Sequence, residues 1–153
     1  MSVSTLGELG AVFATSLEEV VSTVTGVLLA AMPSPANTGF DELVGFMSLH
    51  GKKNGVLFIS AQEDGVRTLC ARMLGLPKDV IAPGDVQDMM GEIVNMTAGN
   101  AKLRLAESEY MFQLSTPFVM TGKEMSVVAK KLTQAAMSIL SDEEISLKLK
   151  VVY

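Results

Sequence analysis

The sequence predicts an α+β fold, with two long helices and a shorter one packed on an antiparallel sheet. Three observations carry that expectation. Leu6, Leu9, Phe13, Leu17, Val20, Val24 and Val27 recur in steps of three and four, the stripe of a long amphipathic helix. Ile145, Leu147, Leu149 and Val151 alternate with Ser146, Lys148 and Lys150, the period of a strand with one wet face. Between these ends, Lys53-Asn54-Gly55 supplies the residues of a tight hairpin turn.

In order along the chain, the first helix is expected to end at Pro33 and Pro35, with Asn37-Thr38-Gly39 continuing as a loop. Leu43 to Leu49 reads as a strand, with Leu43, Met47 and Leu49 on one face, and Val56 to Ser60 as its hairpin partner. Glu63 to Leu74 returns to helical spacing and is closed by Gly75 and Pro77. Pro83-Gly84-Asp85 breaks the chain again, placing Asp85 as N-cap of a long helix from about Val86 to about Ala106. Tyr110 to Met120 is expected to be extended, with an irregularity at Pro117. The stretch from Lys123 to Gln134 fits helix and strand equally. A strand near Ala136 to Leu140 should pair with the last one through a turn at Ser141 to Glu144. Each half opens with a long helix and continues into a hairpin, a weak internal duplication.

The 153 residues suit one domain, 1–153, and with 48% hydrophobic and 19% charged residues the material for a core is ample. The net charge of -5 gives no general attraction to nucleic acid. The first basic residue is Lys52, so neither a secretory signal nor a transit peptide is expected at the N-terminus. The longest apolar run, Val24 to Met32, contains Gly26 and falls well short of the roughly 20 residues of a membrane span. A cytoplasmic protein is the expectation. Cys70 is the single cysteine and falls on an apolar helical face with Val66, Leu69 and Met73. His50 is likewise alone, and neither has partners at metal-ligand spacing, so no metal site is expected. Any chemistry must come from carboxylates, amides or hydroxyls.

The informative stretch is the second long helix. Val86, Met90, Ile93, Val94, Thr97 and Ala101 fall within an arc of about 100°, which is its core face. Opposite lie Asp88, Gly91, Glu92, Asn95, Gly99 and Lys102, with Glu92 and Asn95 one turn apart on the same patch of surface. Two glycines within a helix, each costing up to about 1 kcal/mol relative to alanine, would let another molecule approach the backbone while the acid and amide project into it. Periodicity alone favours a plainer reading, a solvated face whose glycines relieve packing elsewhere.

A resemblance changes the weighting. Asp88-x-x-Gly91-Glu92-x-x-Asn95-x-x-x-Gly99-Asn100-Ala101-Lys102 resembles the signature of the CheC/CheX/FliY family of chemotaxis phosphatases. Gly45 to Gly51 with Gly55-Val56-Leu57 is similar to the family's first hairpin, Ala71 to Gly75 to the end of its short helix, and Thr116 to Gly122 to the segment after its second strand. The similarity spans about Gly45 to Gly122, with a terminal hairpin in the expected place. It implies a CheC-like fold and, for Glu92 and Asn95, the roles of the family's catalytic pair.

The implied substrate is the aspartyl phosphate of a CheY-like response-regulator receiver. Asn95 would position the attacking water, and Glu92 would dock to a receiver lysine. Gly91 and Gly99 would meet the partner, as would Asp88 and Lys102 unless these two are simply solvated, while Asn100, nearer the Ile93 side, would be structural support. The chain would need no cofactor of its own, since Mg2+ would arrive with the receiver. Glu19-x-x-Ser22-x-x-x-Gly26 repeats the spacing in the first helix with serine where the amide belongs, so the expectation is one site per chain, as in CheX-like relatives. Those relatives form homodimers through their sheets, which implies a homodimer here. The rival reading is a non-catalytic receiver-binding or flagellar-switch domain of the same fold.

Overall fold

The computed structural model describes residues 3–128 and 130–153. Helix α1, Leu6–Thr25, opens on a capping box. In it Thr5 Oγ1 accepts from the Glu8 N–H at 3.1 Å, and the Glu8 carboxylate accepts from the Thr5 N–H at 3.0 Å. Its end departs from expectation. Gly26, in the left-handed region at φ 74°, closes the helix before the prolines are reached. The chain then forms a strand that periodicity did not reveal, β1 (Ala30–Ser34), which carries Pro33 at the edge of the sheet, where a missing N–H is tolerated.

Strands β2 (Leu43–Gly51) and β3 (Gly55–Ala61) form the expected hairpin, followed by helix α2 (Glu63–Leu74) and a left-handed Gly75. Helix α3 spans Pro83–Arg104 and corrects the expected cap. Ala82 is the N-cap, Pro83 takes the first turn, and Asp85 stands at the third helical position, its carboxylate accepting from the Ala82 N–H at 3.0 Å. The expected Tyr110–Met120 strand is instead two short ones, β4 (Phe112–Gln113) and β5 (Phe118–Thr121), separated around Pro117. The ambiguous 123–134 stretch takes neither helix nor strand among its described residues. Strands β6 (Ala135–Ser141) and β7 (Ser146–Val152) make the terminal hairpin.

The sheet order is β1-β6-β7-β3-β2, all antiparallel, with β5 and β4 one after the other along the far edge of β2. This order gives the duplication a physical form. In each half a long helix is followed by a strand that pairs with the other half's hairpin: β1 joins β6, and β5 joins β2.

Both long helices lie on one face of the sheet over a common core that includes Phe13, Leu17, Met47, Leu57, Met90, Val94, Phe112 and Leu149. Phe13 stacks on Phe112 across it, with centroids 6.1 Å apart. Two glycines seat the helices. A Cβ at Gly45 of β2 would stand 2.6 Å from Val94 Cγ2 and 2.8 Å from Met90 Cγ, and one at Gly10 of α1 would stand 2.9 Å from the Ala136 Cβ on β6.

The opposite face of the sheet is drier than the alternation in β7 suggested. Val44, Phe58 and Val152 are buried there beneath Phe40, Met125 and Leu132. Lys148 reaches the Asp41 carboxylate at 3.2 Å. The chain before β2 and the segment after β5 fold across this face, which a strand's own periodicity does not report. Cys70 is buried, as its helical face indicates, and burial pushes its thiol pKa up.

Candidate active site on the second long helix

The core stripe of α3 is buried as its spacing predicts: Val86, Met90, Ile93, Val94, Thr97 and Ala101 are all turned into the protein, together with Met89 and Ala98. Burial of each large apolar member contributes about 1.5–3 kcal/mol, so the rotation of the helix about its axis is fixed. The opposite face is turned outward. Glu92 and Asp88 are exposed, and Gly91, Asn95, Gly99 and Lys102 are half-buried.

Two walls border this outward face. On one side runs the segment from β4 to the end of β5. Lys102 Nζ donates to Gln113 Oε1 at 3.1 Å, and a Cβ on Gly91 would lie 3.6 Å from Val119 Cγ2. A cleft of about 210 Å³ opens where Gln87 and Pro83 meet Thr121, Gly122 and Glu42. On the other side stands α1. Asn100 Nδ2 donates to Glu19 Oε2 at 3.1 Å, and Arg104 pairs with Glu19 at 2.5 Å. These bonds hold the Glu19 pKa below the usual carboxylate range, chiefly through Arg104.

Between the walls, the side chains of Glu92 and Asn95 make no hydrogen bond or ion pair with any described residue. The glycines do not relieve crowding. A side chain at Gly99 would enter open space, and one at Gly91 would make only ordinary contact. Neither glycine has a positive φ, so their backbone places no demand for glycine. Packing within the described residues therefore gives no reason for glycine at these two positions beside the pair.

Asn100 and Lys102 have partners within the chain, whereas Asp88, Glu92 and Asn95 have none among the described residues. Glu19, counterpart of Glu92 in the first helix, is held by Asn100 and Arg104, so the repeated spacing there does not present a free acid. Sequence spacing could not show this, because the contact joins residues 19 and 104 from opposite halves of the chain. Among the described residues no group of three or more His, Cys, Asp or Glu could hold a metal ion, and no helix is long and apolar enough to cross a membrane.

Residues 43–140 match the family model described as chemotaxis phosphatase CheX. The chain belongs to the CheX family of chemotaxis phosphatases.

Solved structures agree with that membership. The chemotaxis protein CheX from Vibrio vulnificus is 26% identical, with a TM-score of 0.80 over 98% of this chain and 99% of that one. A putative chemotaxis protein from Desulfovibrio vulgaris Hildenborough is 25% identical, with a TM-score of 0.80 over 97% and 98%. The CheX of the Borrelia burgdorferi CheX–CheY–BeF3–Mg2+ complex shares the fold at 15% identity, with a TM-score of 0.76 over 93% and 95%. No curated protein sequence matches significantly. The CheX family match covers α3, the hairpin beneath it and the β4–β5 wall beside it.

Proposed function

We propose that the whole chain, residues 1–153, acts as one phosphatase domain that hydrolyses the aspartyl phosphate of a CheY-like receiver, with Glu92 and Asn95 as its working pair. The observation that carries this reading is that both side chains stand one turn apart on a bare helical face without intramolecular partners. Unengaged polar groups of that kind are available to a second protein at no cost in internal bonds.

In the reaction, a water oxygen attacks phosphorus in line with the bond to the receiver aspartate. The phosphorus–carboxylate bond breaks, the aspartate leaves as a free carboxylate, and the water's protons end on inorganic phosphate and solvent. Positioning carries much of the barrier reduction in such a transfer. The Asn95 carboxamide both accepts from and donates to a water, which suits it to hold the nucleophile, and a loose transition state requires no strong base. Glu92 would be repelled by phosphate and is suited to a cation, the receiver lysine beside the phosphoaspartate, which docks the helix. A hundredfold gain over spontaneous decay asks about 2.7 kcal/mol of the pair.

Mg2+ belongs to the receiver in this scheme, and the Borrelia relative's complex, which contains CheY, BeF3 and Mg2+, supports that assignment by analogy. The protein works in the cytoplasm, where receivers are found, and forms a homodimer, as CheX-like relatives do. Timed decay of a phosphorylated receiver tests the reading. The wild-type chain should accelerate loss of phosphate, Asn95→Ala should return it to the spontaneous rate, and Glu92→Gln should weaken it chiefly through KM. Equal decay with wild type and Asn95→Ala would end the catalytic assignment. Size-exclusion chromatography with light scattering should give twice the 16.3 kDa chain mass.

A further inference from the structure

One residue on the outward face of α3 is out of character with the rest. Leu103 is 78% exposed, one turn beyond Gly99 and on the same side of the helix as Glu92. Its neighbours Lys102 and Arg104 are both drawn away, the first to Gln113 on the β4 wall and the second to Glu19 on α1. Because Gly99 leaves open space, Leu103 rises as an isolated apolar knob at the end of a bare strip whose other end carries Glu92 and Asn95. Leu114, 43% exposed just after β4, is a second apolar side chain on the segment that walls the strip.

Distance decides what can cover it. At about 1.5 Å of rise per residue, Leu103 lies about 12 Å along the axis from Asn95. A standard protein interface covers about 800 Å² per partner, a disc on the order of 16 Å in radius. A receiver that brings its phosphoaspartate to Asn95 therefore spreads over Leu103 as well. We infer that Leu103 is a specificity-determining anchor, a leucine that enters an apolar depression on the receiver about 12 Å from the phosphorylated aspartate.

This inference rests on the phosphatase reading for the identity of the partner. The anchor acts equally on the bound substrate and the transition state, so it sets KM and leaves kcat alone. Its charge-free contact also selects among receivers, since one with a charged residue at the matching place would have to bury it unpaired.

The test compares wild type, Leu103→Gln and Asn95→Ala in two assays. One follows steady-state decay of a phosphorylated CheY-like receiver. The other titrates the same receiver loaded with beryllofluoride and Mg2+. Leu103→Gln should raise KM and the dissociation constant about tenfold or more, the scale of one buried leucine, with kcat unchanged. Leu74→Gln, an exposed leucine at the end of α2, is the control and should alter neither. An unchanged KM, or a fall in kcat alone, overturns the anchor. The two readings fail separately: full decay with Asn95→Ala would sink the catalytic role, while weakened beryllofluoride-receiver binding by Leu103→Gln would still uphold the anchor.

Discussion

Asn100 of α3 donates its side-chain amide to the carboxylate of Glu19 on α1, at 3.1 Å, and the same carboxylate takes the Arg104 guanidinium. An acid in the first helix that copies the spacing of Glu92 thus fastens the two long helices together. Glu19→Gln should lower the melting temperature slightly, since an exposed pair is screened by water, and should leave kcat for phospho-receiver hydrolysis intact. Ser22→Asn, which restores the acid–amide spacing on α1, should not raise the rate per chain while Arg104 holds Glu19. A doubled rate would show that this acid can be released.

Gly99 offers the sharpest separation of stability from activity. An alanine there adds a methyl group to open space and gains about 1 kcal/mol of helix propensity, so Gly99→Ala should melt about 2–4 °C higher. The same methyl should obstruct the receiver and raise KM. A variant that is more stable and fully active would mean that no partner comes close to this stretch.

The seat of α3 at Gly45 predicts the opposite behaviour. A Cβ would sit 2.6 Å from Val94 Cγ2, and a β-branched valine on a helix has little freedom to move. Gly45→Ala should cost about 1–3 kcal/mol in chemical denaturation. Adding Val94→Ala should recover part of that loss, a coupling that a double-mutant cycle measures.

Acid should loosen the protein by a defined route. Asp142 accepts from the Glu144 and Ile145 N–H groups at 2.8 Å each in the β6–β7 turn, and these bonds hold its pKa below the ordinary value. Glu8 is held low in the same way, chiefly by the Ser4 N–H and then that of Thr5. Groups of this kind contribute stability that is complete above the unfolded carboxylate range and is lost as pH falls through their folded values. The melting temperature should therefore be level from neutral pH to about pH 5 and fall below it. Asp142→Asn should melt lower at neutral pH and show a shallower acid slope.

Much of this architecture was legible because local rules and tertiary packing agree. Glu63–Leu74 has the same limits in sequence and structure, since its stripe and Gly75 point one way. The face carrying Glu92 and Asn95 followed from the period of Val86, Met90, Ile93 and Val94 alone. What escaped depended on neighbours distant in sequence. Strand β1 is a short edge containing Pro33, and only its pairing with β6 makes it a strand. The cap of α3 was displaced because Asp85 serves as well from the third helical position, once proline can open the first turn. Leu103 lies outside the apolar stripe of α3 and is not one of its polar residues, yet a leucine four residues past Gly99 on a polar face was the available signal.

The exchange of β1 and β5 between the halves has a consequence for how the molecule can be taken apart. A nick in the α2 region would yield two fragments, each carrying a strand whose hydrogen-bonding groups belong to the other's hairpin. Neither would be self-sufficient, and the pair should reassemble as mutual complements. With each half's extra strand paired to the other's hairpin, the chain is a single clasp, in which one long helix can present a surface while the other keeps the clasp shut.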